Sequence, residues 1–291
     1  MRTSDEIFEL VLGYAANDER IRAVGLNGSR TNPNAPKDLF QDFDIVYVVT
    51  DVNSFIEDPH WIEVFGERII MQTPENMSMF PPGLGGRFSY LMLFTDGNRI
   101  DLTLVSNDEK DTYYKEDKLT VILMDKDNDT AELLPPTDED YWVKRPSEEF
   151  FSDCCNEFWW VSTYVAKGLW RGEILYAAEH LNNIMRPMLL KMLEWKVGIE
   201  HSYSVSIGKF GKYLEKYLSE ENWQELLSTY ADGSYKDMWR ALFAMLVLFR
   251  TTAIFVADGL GYEYSREEDA KVTAYLEHIS HLSPNATKIY G

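Results

Sequence analysis

Cysteine is nearly absent. The chain of 291 residues has two, Cys154 and Cys155, and they are adjacent. Neighbouring cysteines in a helix do not meet disulfide geometry, so no disulfide framework is expected and a reducing compartment is implied. Basic residues are also scarce: 28 Lys and Arg stand against 48 Asp and Glu, a net charge of −20. That field repels phosphate backbones and anionic lipid, which argues against nucleic acid and membrane partners. A cationic partner, or an anion escorted by metal ions, suits it better. No long apolar run is present. Residues 241–249 are apolar, but Arg250, Thr251 and Thr252 interrupt them before residues 253–257, short of the ~20 residues a bilayer span needs. The segment reads as a buried helix. The first residues lack the apolar stretch of a signal peptide, and a cytoplasmic protein is expected.

Several chemistries are excluded as well. No Ser/His/Asp hydrolase pattern is visible. His278 and His281 have no cysteine or further histidine nearby, which argues against zinc. Residues 125–129 start like a calcium loop, but Thr130 replaces the glycine and Pro136 the final glutamate that such a loop requires. Gly83-Leu-Gly85-Gly86-Arg87 lacks the preceding strand of a dinucleotide fingerprint.

Hydrophobic residues make up 45% and aromatics 14%, ample for packed cores, and the length implies about two domains. In the first half, Ser4 is a candidate cap for a helix over 4–18. Strands are expected at 21–26, 43–50, 68–71 and 119–124, with a short helix at 60–65. Residues 90–95 and 99–105 flank the turn Asp96-Gly97-Asn98, a hairpin signal, so the sheet cannot be all parallel. From Ser147 the period turns helical, with helices predicted over 147–171, 174–197, 210–217, 220–231, 235–258 and 265–282. The acidic, proline-containing stretch 125–146 is the expected boundary. The fold class is α+β: a mixed-sheet α/β domain at 1–146 and a helical bundle at 147–291.

The chemistry concentrates at Gly28-Ser29-Arg30, followed by Asp42-Phe43-Asp44 at the head of an apolar strand. Alternate strand residues point the same way, so Asp42 and Asp44 project together while Phe43 and Ile45 enter the core. Paired carboxylates repel unless a cation lies between them, and Mg²⁺ prefers oxygen ligands. Gly28 permits backbone amides to approach phosphate, and Ser29 and Arg30 can add donors. Asp101 begins another strand; if it lies beside the first, three carboxylates converge and can hold metal against a nucleoside triphosphate. Gly-Ser upstream of such an Asp-x-Asp pattern, with a later strand acid, points to nucleotidyl transfer.

Asn27-Gly28-Ser29-Arg30, Asp38-Leu-Phe-Gln-Asp42-Phe-Asp44-Ile-Val-Tyr-Val and Arg99-Ile-Asp101-Leu-Thr-Leu resemble the aminoglycoside 6-adenylyltransferase (streptomycin adenylyltransferase) family of the polymerase-β-like nucleotidyltransferase superfamily. The likeness extends into Cys155-Asn-Glu-Phe-Trp-Trp and His180-Leu-Asn-Asn-Ile-Met-Arg-Pro. It implies Mg²⁺-dependent transfer of AMP from ATP to a streptomycin hydroxyl with release of pyrophosphate, conferring resistance. Asp42 and Asp44 would hold metal, and Asp101 would be the general base or a further ligand.

On the helix from Ser147, the residues Asp153, Glu157, Trp160, Tyr164, Lys167 and Arg171 recur at steps of three and four and share one face. Phe151, Cys154, Phe158, Val161, Val165 and Leu169 form the neighbouring apolar face. The acids and aromatics suit a polycationic sugar; Lys167 and Arg171 suit ATP phosphates. This face is expected to line the substrate cleft of a monomer. Two alternatives stay open: the same machinery acting on another acceptor, such as a protein hydroxyl, or a nucleotide-binding module without turnover.

Overall fold

Thr3, not Ser4, caps the first helix, α1 (Ser4–Asn17): its side chain accepts from the Glu6 amide and Glu6 returns a bond to the Thr3 amide. Such a reciprocal box satisfies two amides the helix leaves free, one more than a lone serine would. The structure, a computed structural model, describes residues 1–128 and 133–290, so Asp129 and Thr130 of the rejected calcium pattern lie outside it. The chain divides into two units, Met1–Asp140 and Tyr141–Gly291.

In the first unit α1 is followed by β1 (Ile21–Asn27), β2 (Phe43–Val49), α2 (Asn53–Ile56), β3 (Arg68–Gln72), β4 (Phe88–Phe94), β5 (Arg99–Ser106), α3 (Lys110–Glu116) and β6 (Val121–Asp125). The strands form one sheet in the order β3-β4-β5-β2-β1-β6. β2 and β5 run parallel and the other neighbours antiparallel, a mixed sheet, in keeping with a hairpin that ruled out an all-parallel one. Ile45, Tyr47 and Val49 of β2 pack with Ile7, Val11 and Ala15 of α1. Val46 and Val48 pack on the opposite face with Val105, Tyr113 and Tyr114. β2 is therefore buried on both sides, which explains its unbroken apolar run. Helix α3 has no counterpart in the sequence reading.

The hairpin turn is tied to the chain start. Asp96 accepts from the Arg2 amide at 2.9 Å, from Arg2 Nε at 2.7 Å and from Asn98 Nδ2 at 2.8 Å. The Arg2 side chain above all holds the Asp96 carboxyl far below the usual carboxylate range.

The second unit contains α4 (Glu148–Trp170), α5 (Ile174–His180), α6 (Arg186–Glu200), α7 (Leu214–Tyr217), α8 (Glu220–Ser228), α9 (Tyr235–Leu260) and α10 (Arg266–His281). Ser147 caps α4 through the Phe150 amide. All six apolar-face residues expected on α4, from Phe151 to Leu169, are buried, and Phe158 stacks on Phe249 of α9 with ring centroids 3.6 Å apart. Helix α9 is long and apolar enough by composition to cross a membrane, yet Leu242, Met245, Phe249, Ala253 and Val256 are all fully buried in this unit's own core. It is a core helix, as its interrupted pattern implied.

Two helix expectations are corrected. The stretch 174–197 is not continuous, because a π turn at Leu181–Met185 separates α5 from α6. Residues 210–213 are not α-helical: Gly208, Phe210 and Gly211 all have positive φ, and regular helix starts only at Leu214. Both cysteines are free, and burial pushes the Cys154 thiol up to about 12.

Because the Asp96 carboxyl titrates lower when folded than when unfolded, its contribution is complete above about pH 4 and is lost as pH falls through the folded value. Asp96→Asn is expected to cost about 1–2 kcal/mol at pH 7, with the gap to the parent closing below pH 4. Urea melts across that range measure it.

Candidate active site

The parallel pairing of β2 and β5 sets Asp44 directly beside Asp101. Phe43 and Ile45 are buried in the α1-side core, so Asp44 points to the opposite face, the one carrying Val46 and Val48. Asp42, two residues earlier, joins them through Arg99. The guanidinium of Arg99 donates from Nε and one terminal nitrogen to the two oxygens of Asp101, at 2.8 and 2.7 Å. Its other terminal nitrogen lies 3.7 Å from Asp42 Oδ2. The three acids predicted from sequence thus do form one charged cluster, with an arginine across two of them.

Gly28 fits against this cluster. Its φ is +72°, and a Cβ placed there would lie 2.2 Å from Asp44 Oδ2. A side chain would both strain the backbone and displace the carboxylate. The turn Gly28–Arg30 follows β1 directly. Asn27 anchors its start by donating to Thr120 Oγ1 at 2.8 Å and accepting from the Tyr113 hydroxyl at 2.7 Å. Tyr113 reaches it across Gly25, where any side chain would collide with the phenol. The Ser29 carbonyl accepts from Gln41 Nε2.

Arg30 is placed differently from the other turn residues. It donates to the carbonyls of Asp42 and Gln41, both at 2.9 Å, and to Ser4 Oγ. Its guanidinium also lies 3.5 Å over the Phe43 ring. Its three nitrogens are engaged with protein, so in this structure it braces the loop before β2.

Electrostatically the cluster is under tension. Burial, and then the charges of Asp101 and Asp42, push the Asp44 carboxyl up to about 6, against the pull of Arg99 and Arg30. Bonding to Asp101 raises Arg99. Among the described residues no three His, Cys, Asp or Glu side chains are gathered as a ready ligand set. The donor chemistry nonetheless suits a hard divalent cation: all three acids offer oxygen, and the repulsion raising Asp44 is what such a cation would relieve.

On α4 of the second unit, Asp153, Glu157, Trp160 and Arg171 are exposed. Trp160 Nε1 donates to the Tyr164 hydroxyl at 2.8 Å, and the Lys167 ammonium lies 4.6 Å over the Tyr164 ring. These three form a continuous ladder. Asp153 instead lines an acidic cavity of about 440 Å³ with Glu148, Glu149, Glu263 and Glu268. Lys167 and Arg171 line a separate cavity of about 290 Å³ with Lys288 and Tyr275. Glu263, Glu268 and Lys288 were missed because they come from distant segments that no local spacing connects to α4. Elsewhere in this unit, Asn183 Nδ2 donates to Glu179 at 2.7 Å. Arg186 instead turns inward, 5% exposed, onto Thr229 and Asn182.

Residues 1–279 match the family described as Streptomycin adenylyltransferase. An aminoglycoside 6-adenylyltransferase of Bacillus subtilis (strain 168) is 50% identical over 280 residues, covering 96% of this chain and 98% of that one. One from Campylobacter jejuni is 48% identical over 291 residues, covering 100% and 98%. A crystal structure of an aminoglycoside 6-adenyltransferase from Bacillus subtilis is 46% identical and covers 97% of this chain and 100% of that chain, with a TM-score of 0.49.

The raised Asp44 carboxyl binds its proton more tightly folded than unfolded, so it favours folding below about pH 4, and that advantage is lost as pH rises through 6. Asp44→Asn removes the repulsion at neutral pH. In metal-free buffer at pH 7 the variant is expected to melt a few degrees higher than the parent, with the difference gone by pH 4. Scanning calorimetry at both pH values checks it.

Proposed function

The chain belongs to the streptomycin adenylyltransferase family, and from that premise we propose that this enzyme moves AMP from ATP to a hydroxyl of streptomycin and releases pyrophosphate. The single observation that carries the site assignment is the Asp44–Asp101 pairing beside Gly28. A nucleotidyl transfer needs clustered carboxylates next to a turn that admits phosphate, and the placement of Gly28 against Asp44 supports that reading.

In the proposed reaction the acceptor oxygen forms a bond to the α-phosphorus of ATP while the bond from that phosphorus to the bridging oxygen breaks. Pyrophosphate leaves with the bond electrons. Asp101 is the candidate to receive the hydroxyl proton, which needs a carboxylate within hydrogen-bond reach of the acceptor. The Gly28 and Ser29 amides and the Ser29 hydroxyl are candidates to hold phosphate oxygens, the role that an amide-lined turn performs for anions. Arg30 keeps the segment before Asp42 in position through its two carbonyl bonds. Asp42 and Asp44, with Asp101 as a possible third ligand, would hold Mg²⁺, which when bound neutralises phosphate charge and polarises the reacting phosphorus.

The helical unit, taken by itself, carries groups whose chemistry matches the same substrates. Glu157, Trp160 and Tyr164 suit the guanidinium groups of streptomycin, and the carboxylates around Asp153 add attraction for a polycation. Lys167 and Arg171, joined by Lys288 at one cavity, suit the triphosphate. The excess of acid over base across the chain favours a cationic acceptor over a nucleic acid one. We take the enzyme to be cytoplasmic, where ATP is available, and its role to be antibiotic resistance.

Mass spectrometry of streptomycin after incubation with ATP and Mg²⁺ is expected to show one added AMP. Unmodified streptomycin alongside modification of another aminoglycoside would remove the substrate assignment while leaving the chemistry. Asp44→Asn, which stays folded, is expected to lower turnover by about three orders of magnitude or more. Glu157→Gln is expected to raise the KM for streptomycin severalfold and leave that for ATP unchanged, read from steady-state kinetics with each substrate varied. Equal effects on both would contradict the division of the α4 face.

A further inference from the structure

Arg99 occupies an unusual place for a cation in a chain so poor in base. It leaves the hairpin two residues before Asp101 on the same strand, and alternation puts both side chains on one face. Its planar fork engages both oxygens of Asp101, and its remaining nitrogen faces Asp42. A divalent cation needs those carboxylate oxygens at close range and in its own geometry, whereas a guanidinium presents N–H groups that hold the same lone pairs. The fork takes lone pairs of Asp101 that a chelating cation would also use, so the two compete for that carboxylate. The Arg99 side chain is 44% exposed, and among the described residues its ion pairs are those with Asp101 and Asp42, so it has room to move.

We propose that Arg99 is an internal counter-cation: it bridges Asp42 and Asp101 in the metal-free protein, is displaced when a divalent cation binds, and is thereby released toward the triphosphate. The inference rests on the metal reading given above and adds a linkage to it. A metal ion that draws on Asp42 and Asp101 competes with their Arg99 contacts, so metal affinity without nucleotide is held down. Nucleotide regains that deficit, because its phosphates give the released guanidinium a new anionic partner. The site therefore favours metal and nucleotide arriving together and disfavours idle metal occupancy, a form of positive coupling between the two ligands.

The test is equilibrium binding of Mn²⁺ to the whole protein, with free Mn²⁺ followed by electron paramagnetic resonance and no nucleotide present. Arg99→Gln is expected to bind Mn²⁺ about five- to tenfold tighter than the parent. Arg99→Lys, which keeps the charge but loses the fork, is expected to fall between them. The same Arg99→Gln protein is expected to bind a non-hydrolysable ATP analogue with Mn²⁺ severalfold more weakly. Opposite signs for the two ligands distinguish displacement from a general loosening of the site. Unchanged or weaker Mn²⁺ binding by Arg99→Gln, while Asp44→Asn abolishes it, would overturn the counter-cation role and leave the metal assignment standing. Binding by Asp44→Asn equal to the parent, or no binding by the parent, would overturn both.

Discussion

Like charges held side by side govern this molecule. The parallel contact of β2 and β5 fixes Asp44 against Asp101, and the burial of β2 on both faces prevents the strand from slipping to relieve the repulsion. A one-residue slip would turn Tyr47 and its neighbours out of one core and Val48 out of the other. The surrounding structure therefore adapts to the charges. Gly28 leaves space for the Asp44 oxygen, Arg99 screens two of the acids, and the Asp44 carboxyl rises to about 6. Tension of this kind is what a ligand-binding centre stores when part of its charge balance is to arrive with the ligand.

The arginines repay attention for the same reason. With 48 acids and 28 bases, an arginine could be absorbed by almost any nearby carboxylate. Several instead fasten segments far apart in sequence. Arg2 ties the chain start to the β4–β5 turn, Arg87 joins Glu109 and Glu116, and Arg30 grips two carbonyls. Among the described residues Arg186 bonds neutral oxygens and lies 3.7 Å over the Tyr230 ring, directly after the π turn Leu181–Met185. Among the described residues Lys167 and Arg171 form no ion pair with an acid, and they share a cavity with Lys288.

Much of this was legible in the residues. Alternation at the start of β2 placed Asp42 and Asp44 on one side and Phe43 and Ile45 in the core, and the hairpin signal around Asp96 ruled out an all-parallel sheet. Helical spacing named the buried stripe of α4 from Phe151 to Leu169. What escaped has physical causes. Helix α3, Lys-Asp-Thr-Tyr-Tyr-Lys-Glu, is short and polar, and its two buried tyrosines carry no period. The cap moved to Thr3 because a reciprocal bond with Glu6 beats a single one. The reading of 210–213 as helix followed spacing alone, where positive φ at Gly208, Phe210 and Gly211 redirects the chain. Arg30 was read as a phosphate donor because nothing local shows that Gln41 and Asp42 turn their carbonyls to it. Arg99 sat inside a quoted motif, but its role depends on the register between β5 and β2, and pairing across strands is not written in either strand alone.

Anomalous scattering from a crystal grown with Mn²⁺ and a non-hydrolysable ATP analogue tests the centre of the account most directly. The account predicts manganese density bound by carboxylate oxygens of Asp42 and Asp44, with phosphate beside Gly28 and the Arg99 guanidinium turned away from Asp101. Manganese at the acidic cavity around Asp153 instead, with Arg99 still clasping Asp101 in the nucleotide complex, would contradict it.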